Sequence, residues 1–396
     1  MRIKYEKYFS LFCLTQVLIL GVSVCFAQKK ARPTSFEKHV VTTDFIAEGA
    51  AIGDVNKDGK KDILSGAYWF EAPGWTKHEI MPPKTFSWKD GYSDSFLDFS
   101  ADVNQDGWVD LIRIDIAAKP AVWYENPKGK SGHWIARQIY PSIGNESPMF
   151  VDIDGDGRLD LLANDPESKQ VIWLSQPRKK GDFEWEKNII SSDPELATHM
   201  YTHGMGYGDI NGDGKPDVLV KNGWWEGTGN PKTRNWKFHP ANLSQDCAQM
   251  YVYDVNKDGL NDVLSSSAHN YGVWWHEQGK DEQGNTTWTE HEIGREFSQS
   301  HSLGFKDVNG DGIPDLVTGK RWYAHNGGDP GAQDASLTYW YELKPGKNPT
   351  WTAHQIDTEA GSGLHVEIED MNKDGLPDIV VGNKKGVHYF ENRSTK

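Results

Sequence analysis

Cysteine is scarce in this sequence, with three residues in a chain of 396. Cys13 and Cys25 fall within the first 27 residues, which have the pattern of an export signal, so a mature chain would keep only Cys247. One cysteine cannot form an internal disulfide, although disulfides commonly stabilise exported domains. The fold therefore needs another source of stability.

Long apolar runs are also missing, except near the start of the chain. Basic residues open the sequence, residues 9–26 are mostly apolar, and Val24 and Ala27 supply the small residues that a signal peptidase requires. We predict a signal peptide over residues 1–27 and export to the periplasm or the cell exterior. No apolar run follows, so no membrane span is expected after signal removal.

Several familiar catalytic motifs are absent. The sequence contains no P-loop, no dinucleotide-binding fingerprint and no frame typical of a Ser-His-Asp triad. Its net charge of −15 disfavours nucleic acid as a partner. The function must come from a different kind of site.

An acidic repeat dominates what is present. The pattern D-x-[ND]-x-D-G-x-x-D occurs seven times, and each copy is flanked by short small or apolar segments. This is the signature of a strand, an acidic turn and a second strand. The copies begin at Asp54, Asp102, Asp152, Asp209, Asp254, Asp307 and Asp370.

Two further strands follow each acidic repeat. An aromatic pair such as Trp224-Trp225 marks the third strand, and a Trp-x-x-His pattern such as Trp236/His239 marks the fourth. The last repeat ends after its third strand, while Phe36 and His39 show the fourth-strand pattern at the other end of the chain. We therefore predict an all-β fold in which residues 28–396 form one seven-bladed β-propeller of four-stranded antiparallel blades, the last closed by the N-terminal strand.

The acidic turns predict calcium sites. Oxygen ligands at positions 1, 3, 5 and 9, with glycine at position 6, resemble the first part of an EF-hand loop. Up to seven Ca²⁺ ions would neutralise most of the negative charge. The predicted ligands are Asp54, Asn56, Asp58, Asp62, Asp102, Asn104, Asp106, Asp110, Asp152, Asp154, Asp156, Asp160, Asp209, Asn211, Asp213, Asp217, Asp254, Asn256, Asp258, Asp262, Asp307, Asn309, Asp311, Asp315, Asp370, Asn372, Asp374 and Asp378.

These repeats resemble the FG-GAP/VCBS family of calcium-binding propeller repeats, which includes adhesion modules as well as enzymes. A weaker resemblance links the frame from Thr202 to Gly214 and the segment Asn222-Gly-Trp-Trp-Glu226 to the propeller of aldos-2-ulose dehydratases. That second resemblance implies removal of water from a keto-sugar.

The histidines divide into two groups. Those in the repeated fourth-strand position read as structural, whereas six lie outside every repeated position: His199, His203, His269, His301, His325 and His365. His203 and His301 each stand six residues before an acidic repeat, and His365 stands five before one. We predict that His203, His301 and His365 bind one zinc or other divalent transition metal at the channel mouth.

Two functions remain open. The first is a metal-assisted carbohydrate lyase or dehydratase, a carbon–oxygen lyase that acts on a keto-sugar or a uronate by proton abstraction and β-elimination. The second is a non-catalytic propeller that binds glycans or proteins. We expect a monomer in either case, with a carbohydrate as substrate or ligand.

The lyase hypothesis assigns residues on the face opposite the acidic turns. Its predicted catalytic residues are His203, His269, His301, His365, Glu146, Lys320 and Arg321. Its predicted substrate-binding residues are Tyr92, Asn164, Lys221, Trp322, Tyr323 and His325.

Overall fold

The computed structural model describes residues 34–394, so the predicted signal peptide lies outside the described part of the chain. These residues form 28 short β-strands and one 3-10 turn at Ala324–Gly327. The all-β class expected from the sequence is confirmed. Among residues 34–394, no helix is long and apolar enough to cross a membrane.

The strands follow one another along the chain and are joined by turns and loops. The first half comprises β1 (Phe36–Thr42), β2 (Ala51–Gly53), β3 (Asp62–Ser65), β4 (Tyr68–Glu71), β5 (Thr76–Glu79), β6 (Leu97–Ala101), β7 (Asp110–Ile114), β8 (Lys119–Glu125), β9 (Ile135–Ile143), β10 (Met149–Val151), β11 (Asp160–Asp165), β12 (Gln170–Ser175), β13 (Glu186–Ser191) and β14 (Met205–Gly208). The second half comprises β15 (Asp217–Val220), β16 (Gly223–Trp225), β17 (Phe238–Pro240), β18 (Gln249–Tyr253), β19 (Asp262–Ser266), β20 (Tyr271–Lys280), β21 (Thr286–Ser298), β22 (Leu303–Lys306), β23 (Asp315–Gly319), β24 (Thr338–Lys344), β25 (Thr350–Asp357), β26 (Val366–Glu369), β27 (Asp378–Asn383) and β28 (Gly386–Asn392).

The prediction of seven separate blades is wrong. The structure has five four-stranded blades, and eight further strands form one continuous sheet in the order β17-β16-β15-β14-β18-β19-β20-β21. The two halves of that sheet meet where β14 and β18 pair in parallel, with Gly206 opposite Met250. A Cβ on Gly206 would stand 2.7 Å from the Met250 carbonyl oxygen, so glycine permits this close approach.

The N-terminal strand completes the last blade. Strand β1 pairs antiparallel with β28, and Phe36 lies opposite Asn392. The blade order β1-β28-β27-β26 joins the two ends of the described chain. This pairing covers a sheet edge that would otherwise expose free backbone groups.

The aspartate at position 9 of each acidic turn is a structural anchor. Both carboxylate oxygens of Asp217 accept backbone N–H bonds, from Ile210 at 2.9 Å and from Gly227 at 2.7 Å. Burial raises the pKa of Asp217 to about 6. Both oxygens of Asp262 bind backbone N–H groups in the same way. Positions 1, 3 and 5 of the same turn also accept backbone N–H bonds, as Asp209, Asn211 and Asp213 do.

The repeated fourth-strand histidines lie on the outer part of the blades. The His239 ring stacks on Trp224 with centroids 4.1 Å apart, and its Nε2 lies 2.7 Å from a carboxylate oxygen of Glu226. His78 makes the same two contacts with Trp69 and Glu71. A repeated contact of this kind suits a structural role in joining the third and fourth strands.

Candidate functional site

Four histidines converge at the end of the strands opposite the acidic turns. Each reaches the site from a loop: His203 before β14, His269 between β19 and β20, His301 before β22, and His325 in the insertion between β23 and β24. One ring nitrogen of each lies within 4.8 Å of the others. We refer to these residues as the four-histidine cluster.

Hydrogen bonds fix which nitrogen faces the centre. The Nδ1 of His203 lies 2.9 Å from the Tyr201 carbonyl, and the Nδ1 of His301 lies 3.3 Å from the Gln299 carbonyl. Because a carbonyl only accepts, each Nδ1 must carry a proton, which leaves Nε2 with a lone pair. The Nε2 of His301 is buried and has no hydrogen-bond partner among the described residues.

The same backbone device holds both of these rings. Tyr201 and Gln299 each stand two residues before a cluster histidine, and both have left-handed backbone conformations, with φ of 61° and 65°. Side chains other than glycine adopt such angles only when the surroundings impose them, and such strain concentrates at functional sites. Two loops thus use one local geometry to aim two imidazoles.

The insertion supplies the fourth imidazole. His325 has φ of 49°, its Nδ1 lies 2.6 Å from a carboxylate oxygen of Asp329, and its backbone N–H donates to the Tyr92 hydroxyl at 2.7 Å. The Gln299 side chain also donates to Asp329, at 3.0 Å. Gln299 therefore connects the loop of His301 to the insertion of His325.

A buried ion-pair network lies beside the cluster. Arg321 donates to Glu146 at 3.0 Å and to Glu48 at 3.2 Å, and all three side chains are almost fully buried. A Glu146 oxygen is 3.6 Å from the Nε2 of His203. Burial opposes the charge on Arg321, but Glu48 and Glu146 raise its pKa overall. The carboxylate nearest the cluster is thus held in place by a permanent cation.

Burial makes the inner imidazoles neutral. It lowers the pKa of His203 to about 4 and the pKa of His301 well below its ordinary value. Burial also lowers the pKa of His269, which the neighbouring His325 lowers further. Neutral imidazole is the form that binds metal ions.

His365 lies outside the cluster. Its ring packs against Phe99 with centroids 5.0 Å apart, and its Nδ1 is 3.8 Å from Glu367. His365 and Phe99 line a separate cavity of about 480 Å³ along the inner strands. The structure therefore groups His269 and His325, rather than His365, with His203 and His301.

Several predicted contact residues are already engaged by the protein. Asn164 donates to the carbonyls of Ala197 and His199, which steadies the loop that leads to His203. Lys221 pairs with Asp246, at the edge of the site.

Lys320 is fully buried, and its ammonium donates to Ser298 and Gln299. Burial lowers the pKa of Lys320 to about 8. Lys320 and Asn164 therefore support the site instead of facing a ligand.

An aromatic group lies next to the insertion. Trp88 packs against Trp322 and Tyr323, with ring centroids 4.9 and 5.0 Å away. Lys384 lies over the Tyr92 ring at 4.7 Å, and Lys385 lies over the Trp322 ring at 3.6 Å. The predicted residues Tyr92, Trp322 and Tyr323 thus share one region with His325.

Sequence reasoning missed the roles of Gln299, Tyr201 and Asp329. One signal for the first two was present, because Tyr201 and Gln299 occupy the same position relative to His203 and His301. Glu48 also carried a signal, because it stands six residues before an acidic repeat, as Glu146, His203 and His301 do. Asp329 carried no such signal, since its contact with His325 depends on how the insertion folds.

Comparison with known families finds one match. Residues 102–163, 152–220 and 254–318 match the family described as FG-GAP-like repeat. No curated protein matches the chain.

Similar solved structures are distant. BBS1N from its crystal structure with ARL6DN, soaked with mercury, is 9% identical, with coverage of 93% of this chain and 98% of that chain and a TM-score of 0.48. The extracellular domain of the hybrid two component system BT3049 from B. thetaiotaomicron is 12% identical, with coverage of 91% and 41% and a TM-score of 0.49. YCF48 from Cyanidioschyzon merolae is 13% identical, with coverage of 89% and 98% and a TM-score of 0.47.

These TM-scores are too low to carry an argument about function. The matched repeats contain the acidic turns, and each matched segment spans strands of the sheets described above. The chain therefore carries FG-GAP-like repeats within a β-propeller fold.

Proposed function

We propose that this propeller is a metal-dependent carbohydrate lyase or dehydratase. One observation carries the proposal: four imidazoles from four separate loops bring ring nitrogens within 4.8 Å of one another. Repeated packing positions do not explain this convergence, because none of the four belongs to the repeated fourth-strand position.

The donor set fits a divalent transition metal. Imidazole nitrogen suits zinc, copper, iron and nickel, and hydrogen bonds from Nδ1 to a carbonyl or carboxylate are the usual support of such ligands. His203, His301 and His325 have this support, and the unpartnered Nε2 of His301 provides a ready donor. Such a metal, when bound, polarises a substrate carbonyl.

Glu146 is the base in this proposal. Its carboxylate stands beside His203 and can take the proton α to a substrate carbonyl. The electron pair of that C–H bond forms a carbon–carbon double bond, and the β carbon–oxygen bond breaks. The oxygen leaves with a proton as water or as an alcohol.

Arg321 and Lys320 receive revised roles. Both were predicted to be catalytic, but both are buried and bonded within the protein. Arg321 orients Glu146 through the 3.0 Å bond, and Lys320 braces Gln299. They act through other residues, so we treat them as positioning residues.

Calcium in the acidic turns remains part of the proposal. Asp54 Oδ1 and Asp154 Oδ1 are buried and have no hydrogen-bond partner among the described residues, which fits a cation ligand. Asp152, Asp154 and Asp160 also bring carboxylate oxygens within 4.8 Å of one another. The role proposed for calcium is structural, because these turns lie at the opposite end of the strands from the four-histidine cluster.

The test is turnover by Glu146→Gln. We expect wild-type protein to produce ultraviolet-absorbing unsaturated sugar from a keto-sugar or a uronate oligosaccharide, and the variant to lose a factor of about 10² or more, since a general base contributes that much. Glu195→Gln, which changes an exposed carboxylate near the site, is the matched control.

Two results would overturn the proposal. Full turnover by Glu146→Gln would remove Glu146 from the chemistry. Absence of turnover in metal-loaded wild-type protein, together with retention of glycans on an array, would favour the non-catalytic binding module.

A further inference from the structure

Two lysines near the four-histidine cluster form no salt bridge with the described residues. No carboxylate within residues 34–394 forms a salt bridge with Lys384 or Lys385, although Lys384 is almost fully buried. Buried lysines are rare without such a partner, because removing an ammonium from water is costly. Unpaired buried cations therefore indicate that a negative group comes from outside the chain.

Lys384 is the clearest case. Its ammonium donates to the carbonyls of Trp88 at 3.3 Å and of Tyr323 at 3.1 Å, which uses two of its three donors. Burial lowers the pKa of Lys384. The Glu48 carboxylate opposes this lowering of the Lys384 pKa, but Glu48 is already bonded to Arg321.

Lys385 presents a second charge on the same turn. Its ammonium lies 3.6 Å from the centre of the half-buried Trp322 ring, and Trp322 in turn packs against Trp88. A cation over a ring is held in place and keeps its remaining donors for another partner. The turn between β27 and β28 thus offers two fixed ammonium groups.

This turn adjoins the cluster through Tyr92. Lys384 lies 4.7 Å from the Tyr92 ring, and the Tyr92 hydroxyl accepts the backbone N–H of His325. Arg321 lies 4.9 Å from the same ring and has a buried Nη2 without a partner among the described residues. A ligand at the cluster would therefore have these cations beside it.

We propose that Lys384 and Lys385 form an anion subsite that binds the carboxylate of an acidic saccharide, so that the substrate is a uronate and not a neutral keto-sugar. The inference rests on the proposed function and narrows its substrate class. A carboxylate accepts bonds from two ammonium groups at once, whereas a hydroxyl gains little from their charge. Aromatic side chains around the lysines suit the apolar faces of a sugar ring.

The experiment measures binding to paired ligands. A panel of oligosaccharides built on galacturonate, glucuronate, iduronate, guluronate and mannuronate is compared with the same oligosaccharides after carboxyl reduction, and a sulfated neutral series tests for sulfate as the anion. We expect wild-type protein to bind at least one uronate about tenfold more tightly than its reduced form, as a charged hydrogen bond implies.

Lys385→Gln is the decisive variant, because Lys385 is only half-buried. It should weaken binding of the uronate about tenfold and leave the reduced form unchanged. Lys57→Gln is the matched control, since Lys57 lies over the Trp108 ring at 4.5 Å within an acidic turn. Lys384→Met is added, with its melting temperature measured to confirm folding.

The outcomes separate this inference from the proposed function. Equal binding of a uronate and its reduced form, equal losses for both in Lys385→Gln, or preference for the sulfated series would overturn the carboxylate subsite. If the protein turns over a neutral keto-sugar and Lys385→Gln does not change that turnover, the proposed lyase function stands and the proposed carboxylate subsite is wrong. If the protein binds a uronate selectively but shows no turnover and no bound transition metal, the proposed carboxylate subsite stands and the proposed lyase function is wrong.

Discussion

The Nε2 atoms of His203 and His269 lie 3.2 Å apart. His203 already uses its Nδ1 proton on the Tyr201 carbonyl, so its Nε2 faces His269 with a lone pair. A proton on the Nε2 of His269 would give a hydrogen bond to the Nε2 of His203 and nothing more. A shared metal ion would also bind the Nε2 of His301, which has no hydrogen-bond partner among the described residues. The metal ion that we propose for the cluster would account for both features.

Gln299→Gly should weaken metal binding without abolishing it. Glycine keeps the left-handed backbone and the carbonyl that binds His301, but it removes the side-chain bonds to Asp329 and Lys320. Loss of such supporting contacts costs about 10- to 100-fold in metal affinity. Competition with a chromophoric chelator measures the change.

A matched variant controls for general damage near the site. His199→Ala alters an exposed histidine on the loop before His203. It should bind metal as wild type does. Unchanged affinity in Gln299→Gly would show that Gln299 does not position the cluster.

Arg321→Met should destabilise the fold strongly. It leaves Glu48 and Glu146 buried without their cation. Breaking a buried ion pair from one side costs about 3–5 kcal/mol of unfolding free energy. Denaturant titration at neutral pH measures this loss.

Two comparisons identify the cause. The triple variant Arg321→Met, Glu48→Gln and Glu146→Gln should recover much of the lost stability, because no buried charge stays unpaired. Arg295→Ala, which breaks an exposed pair with Glu292, should cost about 0–1 kcal/mol. Equal small losses in the two single variants would contradict the buried network.

Asp98 should make stability depend on pH. Burial raises its pKa from 3.8 to about 6, while bonds from the Gly66 N–H and the Ser95 hydroxyl oppose the rise. Among facing charged groups, Arg113 lowers this pKa and Asp94 raises it. The folded state thus keeps a proton that the unfolded chain releases.

The proton bound to Asp98 adds to the free energy of unfolding. This stabilisation is fully present below the pKa of the unfolded state and is lost as pH rises through about 6. The unfolding free energy of wild type, relative to Asp98→Asn, should fall by about 2–3 kcal/mol between pH 4 and pH 7. Calcium-free melts at several pH values test this difference. A difference that stays constant with pH would contradict the buried, proton-binding state of Asp98.

Calcium should raise the melting temperature. The Oδ1 of Asp54 has no hydrogen-bond partner among the described residues and would bind the proposed cation. A ligand that binds the folded state alone stabilises that state. We expect a clear rise with millimolar calcium over chelated protein, and a smaller rise in Asp54→Ala. An unchanged midpoint on calcium addition would contradict calcium binding.

The order of the strands within each unit could be predicted because each repeat shows the sequence pattern of its strands and turns. The acidic turns, the aromatic pairs and the Trp-x-x-His pattern indicated four-stranded units, and Phe36 and His39 indicated the pairing of β1 with β28. The joining of two units through β14 and β18 could not be predicted. It depends on glycines such as Gly206 allowing close strand contact, and a glycine in a repeat does not reveal its neighbour in space.

The site could be predicted only in part. The six histidines outside the repeats include the four that converge, His203, His269, His301 and His325. The assignment of His365 followed its spacing before an acidic turn, but spacing along one strand does not fix the height of a residue in the channel. The partners Glu48 and Asp329 come from distant loops, and only the folded chain shows these contacts.

Metal content measured on purified protein tests the central claim most directly. Elemental analysis of wild type, washed with a weak chelator and exposed to a limited set of divalent ions, should find about one transition metal per chain in addition to calcium. His203→Ala, His269→Ala, His301→Ala and His325→Ala should each lower this occupancy, whereas His199→Ala and His365→Ala should not. Wild-type protein that holds no transition metal under these conditions, or cluster variants that keep it in full, would contradict the account.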